Sequence, residues 1–297
     1  MINKLAIIGI GLMGGSLARA LRHSGFVDEI VGYGRNLENL KLAVDLGVVD
    51  HAEARIEAAV RDADVVLIAA PVGAMAEVFS QLAGKMSREA VITDVGSVKT
   101  SVILAARETL SQEEFARFVP GHPIAGTEQS GVAASREDLF QDHQIILTPE
   151  PDTRRDAVDT VRVMWAAAGG VVHILDAEKH DAVLAASSHV PHVLAYALVD
   201  MVVRRDDHHD IFDFAAGGFR DFTRIAGSDP AMWRDICVAN SEPLMALLEN
   251  FRQDLGDIMQ AIEKGDAQWL MDTFQRARHA RDTYVKPAPS DSPDSTE

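Results

Sequence analysis

Up to about residue 175, short apolar runs alternate with stretches whose apolar positions recur every three or four residues. The runs have the length of strands and the stretches the period of crossover helices, so the pattern predicts an α/β fold with a doubly wound parallel sheet. Strands are expected at Lys4–Ile10, Glu29–Tyr33, Ala63–Ala70, Ala90–Val95, Phe118–Pro120, Gln144–Leu147 and Val171–Leu175. The uninterrupted run VVLIAA suits a strand buried on both faces. From Asp176 the strand-like pattern stops, and long helical stretches such as EKHDAVLAASSHVPHVLAYALVDMVV and PLMALLENFRQDLGDIMQAI take over. The expectation is a nucleotide-type domain over 1–175, an all-α domain over 176–285, and a tail over 286–297. That tail, rich in Pro, Ser and Asp with little to bury, is expected to be disordered.

Composition narrows the function classes. The 297 residues allow two domains, and 47% hydrophobic with 25% charged residues is ordinary globular usage. A formal charge of −17 argues against nucleic-acid binding and against adhesion to an anionic membrane. Any anionic ligand must then meet locally concentrated positive charge. Cys237 is the only cysteine, which excludes an intrachain disulfide and suits a cytoplasmic protein. The apolar start, MINKLAIIGI, is broken at once by Gly9, Gly11, Gly14 and Gly15, and no run reaches the roughly 18 consecutive apolar residues of a membrane span.

Those glycines carry the first chemical signal. Gly9-Ile10-Gly11-Leu12-Met13-Gly14 fits G-x-G-x-x-G between an expected strand and an expected helix, the Rossmann arrangement in which a dinucleotide pyrophosphate faces the helix N-terminus. Gly9, Gly11, Leu12, Met13 and Gly14 are therefore candidate cofactor residues, as are Ala70 and Pro71 at the end of the third expected strand. The acid that would hold an adenosine ribose is missing; Gly34 stands at the end of the second strand and Arg35 follows. Arg35 can pair with a ribose phosphate, as in NADP, or remain a solvated loop residue beside NAD. Both cofactors stay open.

Two further segments fall at the carboxyl ends of expected strands, where such folds bind ligands: DVGSVK (94–99) and GHPIAGTE (121–128). His122, between Gly121 and Pro123, is placed in a rigid turn that presents the imidazole at the sheet edge, suited to accept a hydroxyl proton. Ser97 can support the same hydroxyl or simply cap a helix. In the helical half, His189 and His192 share a face in SHVPH, a spacing that also suits a metal, although no carboxylate or cysteine set completes the ligands. Arg220, Arg224 and Arg234 are candidate carboxylate clamps, and at least one is expected to pair structurally with Asp221 or Asp235. Trp233 more often marks a core than a ligand contact. The run Arg204–Asp210 reads as a solvated loop.

GIGLMGGSLA, DVGSVK, GHPIAGTEQSG, SHVPH, GGFRDFTRIA and SDPAMWRDI stand in an order and spacing that closely resemble the prephenate/arogenate dehydrogenase family, over about residues 4 to 285. The resemblance implies a Rossmann domain followed by a helical domain that forms a homodimer, with the active site in the cleft between them. It implies oxidative decarboxylation of prephenate, arogenate or both in tyrosine biosynthesis, with NAD or NADP. His122 resembles the family histidine that takes the ring-hydroxyl proton, and Ser97 its companion. Arg224 resembles the arginine on a substrate carboxylate, His192 the second histidine of the pocket, and Glu128 and Trp233 pocket-lining positions. Gly34 departs from the acid found in many members. No regulatory domain is expected after the helical one in this sequence, so any inhibition by tyrosine is expected to act at the active site. Two rival classes share parts of this pattern: another two-domain dehydrogenase, such as one acting on β-hydroxy acids, and a non-catalytic dinucleotide sensor.

Overall fold

The computed structural model describes residues 1–127 and 129–284. Six strands, β1 (Ile2–Ile8), β2 (Val27–Tyr33), β3 (His51–Glu53), β4 (Val65–Ile68), β5 (Val91–Asp94) and β6 (Phe118–Val119), form one sheet in the order β3-β2-β1-β4-β5-β6. Every pairing in it is parallel. The chain runs outward from β1 to β3 and returns to β4 on β1's other side. Loops leaving β1 and β4 therefore diverge, which opens the crevice where such sheets bind ligands.

The helices of this half are α1 (Leu12–His23), α2 (Leu37–Asp45), α3 (Ile56–Val60), α4 (Met75–Leu82), α5 (Thr100–Thr109), α6 (Gln112–Phe115) and α7 (Arg155–Ala167). They cover both faces of the sheet. Alternate residues of β1 feed two cores, as the period of two requires. Leu5 and Ile7 pack with Leu17, Leu21 and Trp165, while Ala6 and Ile8 pack with Phe79 and Phe118. The expected parallel sheet is thus present, with β3 added as a short outer strand whose three residues carry no apolar signal.

One expectation is corrected here. Gln144–Leu147 and Val171–Leu175 do not extend the parallel sheet: β7 (Gly121–Pro123), β8 (Gln144–Leu147) and β9 (Val171–Ile174) form a separate sheet in the order β7-β8-β9. In it β7 runs antiparallel to β8 and β8 parallel to β9. The break falls at Pro120, which has no N–H with which to continue a ladder; its carbonyl instead accepts from Thr148 N at 2.9 Å. His122 is consequently in an edge strand, opposite Ile146, and not in a turn.

After β9 the described chain is helical. α8 (Ala177–Leu184) passes through a π-helical stretch, Ala185–His189, into α9 (Val190–Val203). Pro191 lacks an N–H and its ring crowds the carbonyl one turn back, which the wider π turn relieves. There follow α10 (His208–Asp213), α11 (Gly217–Thr223), a 3-10 turn at Arg224–Gly227, α12 (Pro230–Ala239), α13 (Ser241–Lys264) and α14 (Ala267–Tyr284). The continuous segment Ala177–Val203 is long and apolar enough, by length and composition, to cross a bilayer. That qualifies the reading from apolar runs alone; the segment also buries His180, Asp181 and His189, polar groups that need partners there.

Contacts divide the chain into two compact units that meet inside α13, between Leu244 and Met245. In the second, Phe251, Leu255, Met259 and Ile262 are all exposed and recur along one face of α13. The expected tail, 286–297, lies outside the described residues.

Candidate active site

Backbone geometry builds the first half of the site. Gly9 leaves β1 at φ +102, a conformation that L side chains rarely adopt, and a Cβ there would overlap the Ala69 carbonyl. At Gly14 a Cβ would strike the Gly9 carbonyl and the Ile7 side chain, so α1 can sit this close to the turn only with glycine. Above Gly11, by contrast, there is open space. The first N–H groups of α1, at Leu12, Met13 and Gly14, have no intrahelical acceptor and no acidic side chain in that turn to occupy them. A free helix N-terminus under open space is a cradle for a pyrophosphate.

A cleft of about 140 Å³ continues from this cradle, lined by Gly9, Gly34, Arg35, Ala70 and Pro71 among others. Arg35 is exposed. An added Cβ at Gly34 would meet only Leu40, at 3.7 Å, so the missing acid is not excluded by lack of room. The glycine cradle and this cleft fit a dinucleotide.

The second half is built by side chains drawn from distant segments. Asp94, the last residue of β5, is fully buried and accepts from Gly96 N at 2.7 Å, Gly121 N at 3.1 Å and Lys99 Nζ at 2.5 Å. Lys99 Nζ also donates to the Gly121 carbonyl at 2.6 Å. Both ends of the 94–99 loop are thereby tied to the residue before His122. Ser97 is half-buried at the crest of that loop, and no hydrogen bond of its hydroxyl is found within the described residues. It does not cap α5: the Asp181 carboxylate does so from α8, accepting from Lys99 N and Thr100 N, each at 2.8 Å.

His122 is half-buried, and its Nδ1 lies 2.9 Å from Nε2 of the fully buried His180. His180 Nδ1 in turn lies 2.8 Å from Asp181 Oδ1. Burial holds the His122 imidazole well below the usual histidine range, and the neighbouring His180, Lys99 and His189 oppose a positive charge there as well. Burial also lowers His180, against the pull of Asp181. For Asp181 burial acts upward, but hydrogen bonds from His180, Lys99 and Thr100 outweigh it and keep the carboxylate ionised.

α9 and α12 supply the opposing wall. His192 stacks on Trp233 with ring centroids 3.6 Å apart and planes 19° from parallel, and His189 meets the same indole edge-on at 5.9 Å. Trp233 is buried with Val98 and Ile236, so the residue next to Ser97 packs directly on the helical half. Burial lowers His192, and the positive charge of Arg224 lowers it further, which places that guanidinium's field on the imidazole. His189 is buried against Asn240, its Nδ1 2.9 Å from the amide nitrogen, and burial pushes it down to about 4.

His122, Ser97, His192, Trp233 and the field of Arg224 thus converge around the ends of β5 and β7, while Gly9, Gly11, Leu12, Met13, Gly14, Arg35, Ala70 and Pro71 surround the cradle and cleft. Glu128 lies outside the described residues. Arg234 pairs with Asp235 at 2.6 Å, the structural ion pair expected of at least one of the three arginines. Trp233 is both core and stacking surface. His208 and His209 lie ring to ring in α10, next to a loop where Arg205 and Asp207 pair on the surface. Sequence reasoning missed His180, Asp181 and the bridging role of Lys99. A signal existed: His180 and Asp181 are polar residues on the buried side of an amphipathic helix, where they need partners.

Comparison with known proteins adds a lineage. The nucleotide-binding domain of prephenate dehydrogenase matches residues 17–174, and the dimerization domain of the same family matches 176–276. The chain is 38% identical over 285 residues to cyclohexadienyl dehydrogenase of Zymomonas mobilis, covering 95% of this chain and 96% of that one. It superposes with a TM-score of 0.88 on prephenate dehydrogenase from Aquifex aeolicus in complex with hydroxyphenyl propionate and NAD+, at 38% identity, covering 95% and 98% of the two chains. Arogenate dehydrogenase from Synechocystis gives a TM-score of 0.79 at 28% identity, covering 95% of this chain and all of that one.

Proposed function

The chain belongs to the prephenate dehydrogenase family, and from that premise we propose that it oxidatively decarboxylates prephenate, arogenate or both, with NAD or NADP as hydride acceptor. The single observation that carries the reading is His122: an imidazole kept neutral at the mouth of the sheet, with one nitrogen engaged by His180 and the other directed away from that bond. A base in this state accepts a hydroxyl proton near neutral pH without first having to lose one.

A bound nicotinamide would supply the acceptor for the hydride on the substrate's carbinol carbon. His122 Nε2 accepts the proton of the hydroxyl on that carbon, and Ser97 donates a hydrogen bond to the same oxygen. Loss of the ring carboxylate as carbon dioxide sends its bonding electrons through the ring to the oxygen, and His122 returns the proton to that oxygen as the ring aromatises, so the chain has to manage a single proton. Arg224 holds a carboxylate of the substrate by charge-assisted hydrogen bonds, with His192 and Trp233 as an aromatic wall. The backbone N–H groups of Leu12, Met13 and Gly14 would hold the pyrophosphate. Glu128 takes a pocket-lining place by resemblance alone.

The exposed apolar stripe of α13 supports a homodimer formed through the helical domain, since a row of four large apolar side chains is seldom left to water. A biosynthetic enzyme with one free cysteine is assigned to the cytoplasm. Reduced-cofactor formation across all four pairings of prephenate or arogenate with NAD or NADP tests the function. Turnover is expected in at least one pairing. Silence in all four from folded, cofactor-binding protein, or turnover of a simple hydroxy acid instead, would overturn it.

A further inference from the structure

We propose that His180 and Asp181 form a positioning pair that fixes the tautomer of His122, so that Nδ1 carries the proton and Nε2 presents a lone pair to the substrate. The inference rests on His122 acting as the base. It follows from a chain of forced donor and acceptor roles.

An ionised carboxylate only accepts. Asp181 Oδ1, 2.8 Å from His180 Nδ1, therefore requires the proton of His180 on Nδ1. Neutral His180 then has a lone pair on Nε2, which is 2.9 Å from His122 Nδ1. Two lone pairs cannot face each other at that distance, so His122 Nδ1 must carry the hydrogen. The free imidazole nitrogen of His122 is thereby the acceptor, which is the form a base needs. Without the relay, neutral imidazole is free to place its proton on Nε2, and the ring would then offer a donor to the hydroxyl it must deprotonate.

Asp181 is itself held firmly. Its two oxygens accept from His180, Lys99 N and Thr100 N, and its carbonyl accepts from Asn240 Nδ2 at 3.0 Å. One carboxylate thus sets the ring that orients His122 and anchors the loop that carries Ser97. When His122 Nε2 takes the substrate proton, that proton is held on His122 and not passed to His180, until it returns to the ring oxygen. The new imidazolium keeps its Nδ1–H directed at His180 Nε2, with the Asp181 charge behind it, as in other histidines backed by a carboxylate. The alternative, that the pair merely stabilises the contact between α8 and α5, accounts for the bonds from Asp181 to the backbone but not for the imidazole-to-imidazole bond, which contributes nothing to capping α5.

The test is the tautomeric state of the full-length protein labelled with ¹⁵N-histidine, read by nitrogen chemical shifts and two-bond couplings at pH 8. Signals are assigned by their disappearance in His122→Asn and His180→Leu. In the wild type, both His122 and His180 are expected to be protonated at Nδ1 and unprotonated at Nε2. His122 protonated at Nε2 would overturn the proposal, and this needs no variant to be active. His180→Leu is expected to shift His122 towards the Nε2–H form and to lower kcat on the order of tenfold to a hundredfold, the scale at which orienting partners act in metal sites, with KM for substrate within about threefold. His180→Gln, whose amide oxygen can stand where Nε2 stood, is expected to recover part of that loss; a purely structural role would lower the melting temperature of both variants and leave kcat and tautomer unmoved. The two readings fail separately. A folded His122→Asn with normal kcat removes the base, whereas a wrong wild-type tautomer removes only the relay.

Discussion

The cofactor cradle and the proton-handling cleft lie in the same compact unit but are made of different material. The cradle is backbone: Gly9 at positive φ, Gly14 in contact with the turn, and the open N-terminus of α1, all within six consecutive residues. The cleft is side chains from at least five separated segments, around 94–99, 122, 180–192, 224 and 233–240, and hydrogen bonds spanning up to 82 positions in sequence join 94–99, 122, 180–192 and 240. A backbone site tolerates any side chain that does not fill it and fails when a glycine is lost. A side-chain site fails one bond at a time, and each failure reports on one role.

The largest expected effect is on the cleft. His122→Asn removes the proposed proton acceptor and is expected to lower kcat by about 10²–10⁴, with little change in KM for substrate or in cofactor binding. Steady-state kinetics on folded variant protein measure it, and near-normal kcat would detach His122 from the chemistry. The glycine cradle should be untouched, because nothing in it depends on the imidazole.

Acid should find the cleft before the cradle. His189 is 1% exposed and held at about 4, so between pH 6.5 and 4 the unfolded chain takes up this proton and the folded one does not. Its contribution to stability is intact above about 6.5 and is lost as pH falls towards 4, a loss on the order of 3 kcal/mol. His122 and His180, also lowered by burial, act in the same direction. Urea unfolding of wild type and His189→Asn from pH 7.5 to 5 measures the share of His189, since asparagine keeps an acceptor for Asn240 but cannot titrate. The variant should lose less stability on acidification; equal slopes would assign the acid sensitivity elsewhere.

Arg224→Gln probes the wall opposite His122. Its charge already reaches His192, and the proposed clamp would meet a carboxylate there. Arg224 is exposed in the free protein, so the expected loss is near the lower end for charge pairs, about 2 kcal/mol or roughly thirtyfold in KM for substrate, with kcat changed less. An unchanged KM would sink the clamp.

The same contrast explains what the sequence made legible. The parallel sheet, its two buried faces and the glycine cradle depend on local pattern, and Gly9 to Gly14 could be assigned from neighbours alone. Ser97, His122, His192 and Trp233 could be named as candidates, but not their partners, because Asp181 caps a helix 80 residues upstream and sets His122 through His180. The short β3 carries no apolar signal, and the second sheet carries little because β7 is only three residues long, follows Pro120 and ends in Pro123. Trp233, which sequence allows as core or ligand wall, is buried core that also stacks on His192, and its place against a ligand belongs to the proposal.

Gly34 is where the cradle itself remains divided between two cofactors, and it offers the smallest and sharpest change. The position follows β2, its φ is not in the left-handed region, and an added Cβ meets only Leu40 at ordinary distance, so aspartate can be accommodated without strain. A carboxylate there would accept from the ribose hydroxyls of NAD and repel the ribose phosphate of NADP beside Arg35. Gly34→Asp is therefore expected to weaken NADP by about tenfold, roughly 1.4 kcal/mol, relative to NAD, with kcat for the preferred substrate nearly unchanged because the cleft is built elsewhere. The ratio of kcat/KM for the two cofactors measures it. A shift confined to that ratio would place the adenosine end between Gly34 and Arg35; an unmoved ratio would leave Arg35 a solvated loop residue and send the search for cofactor preference to the rest of the cleft lining.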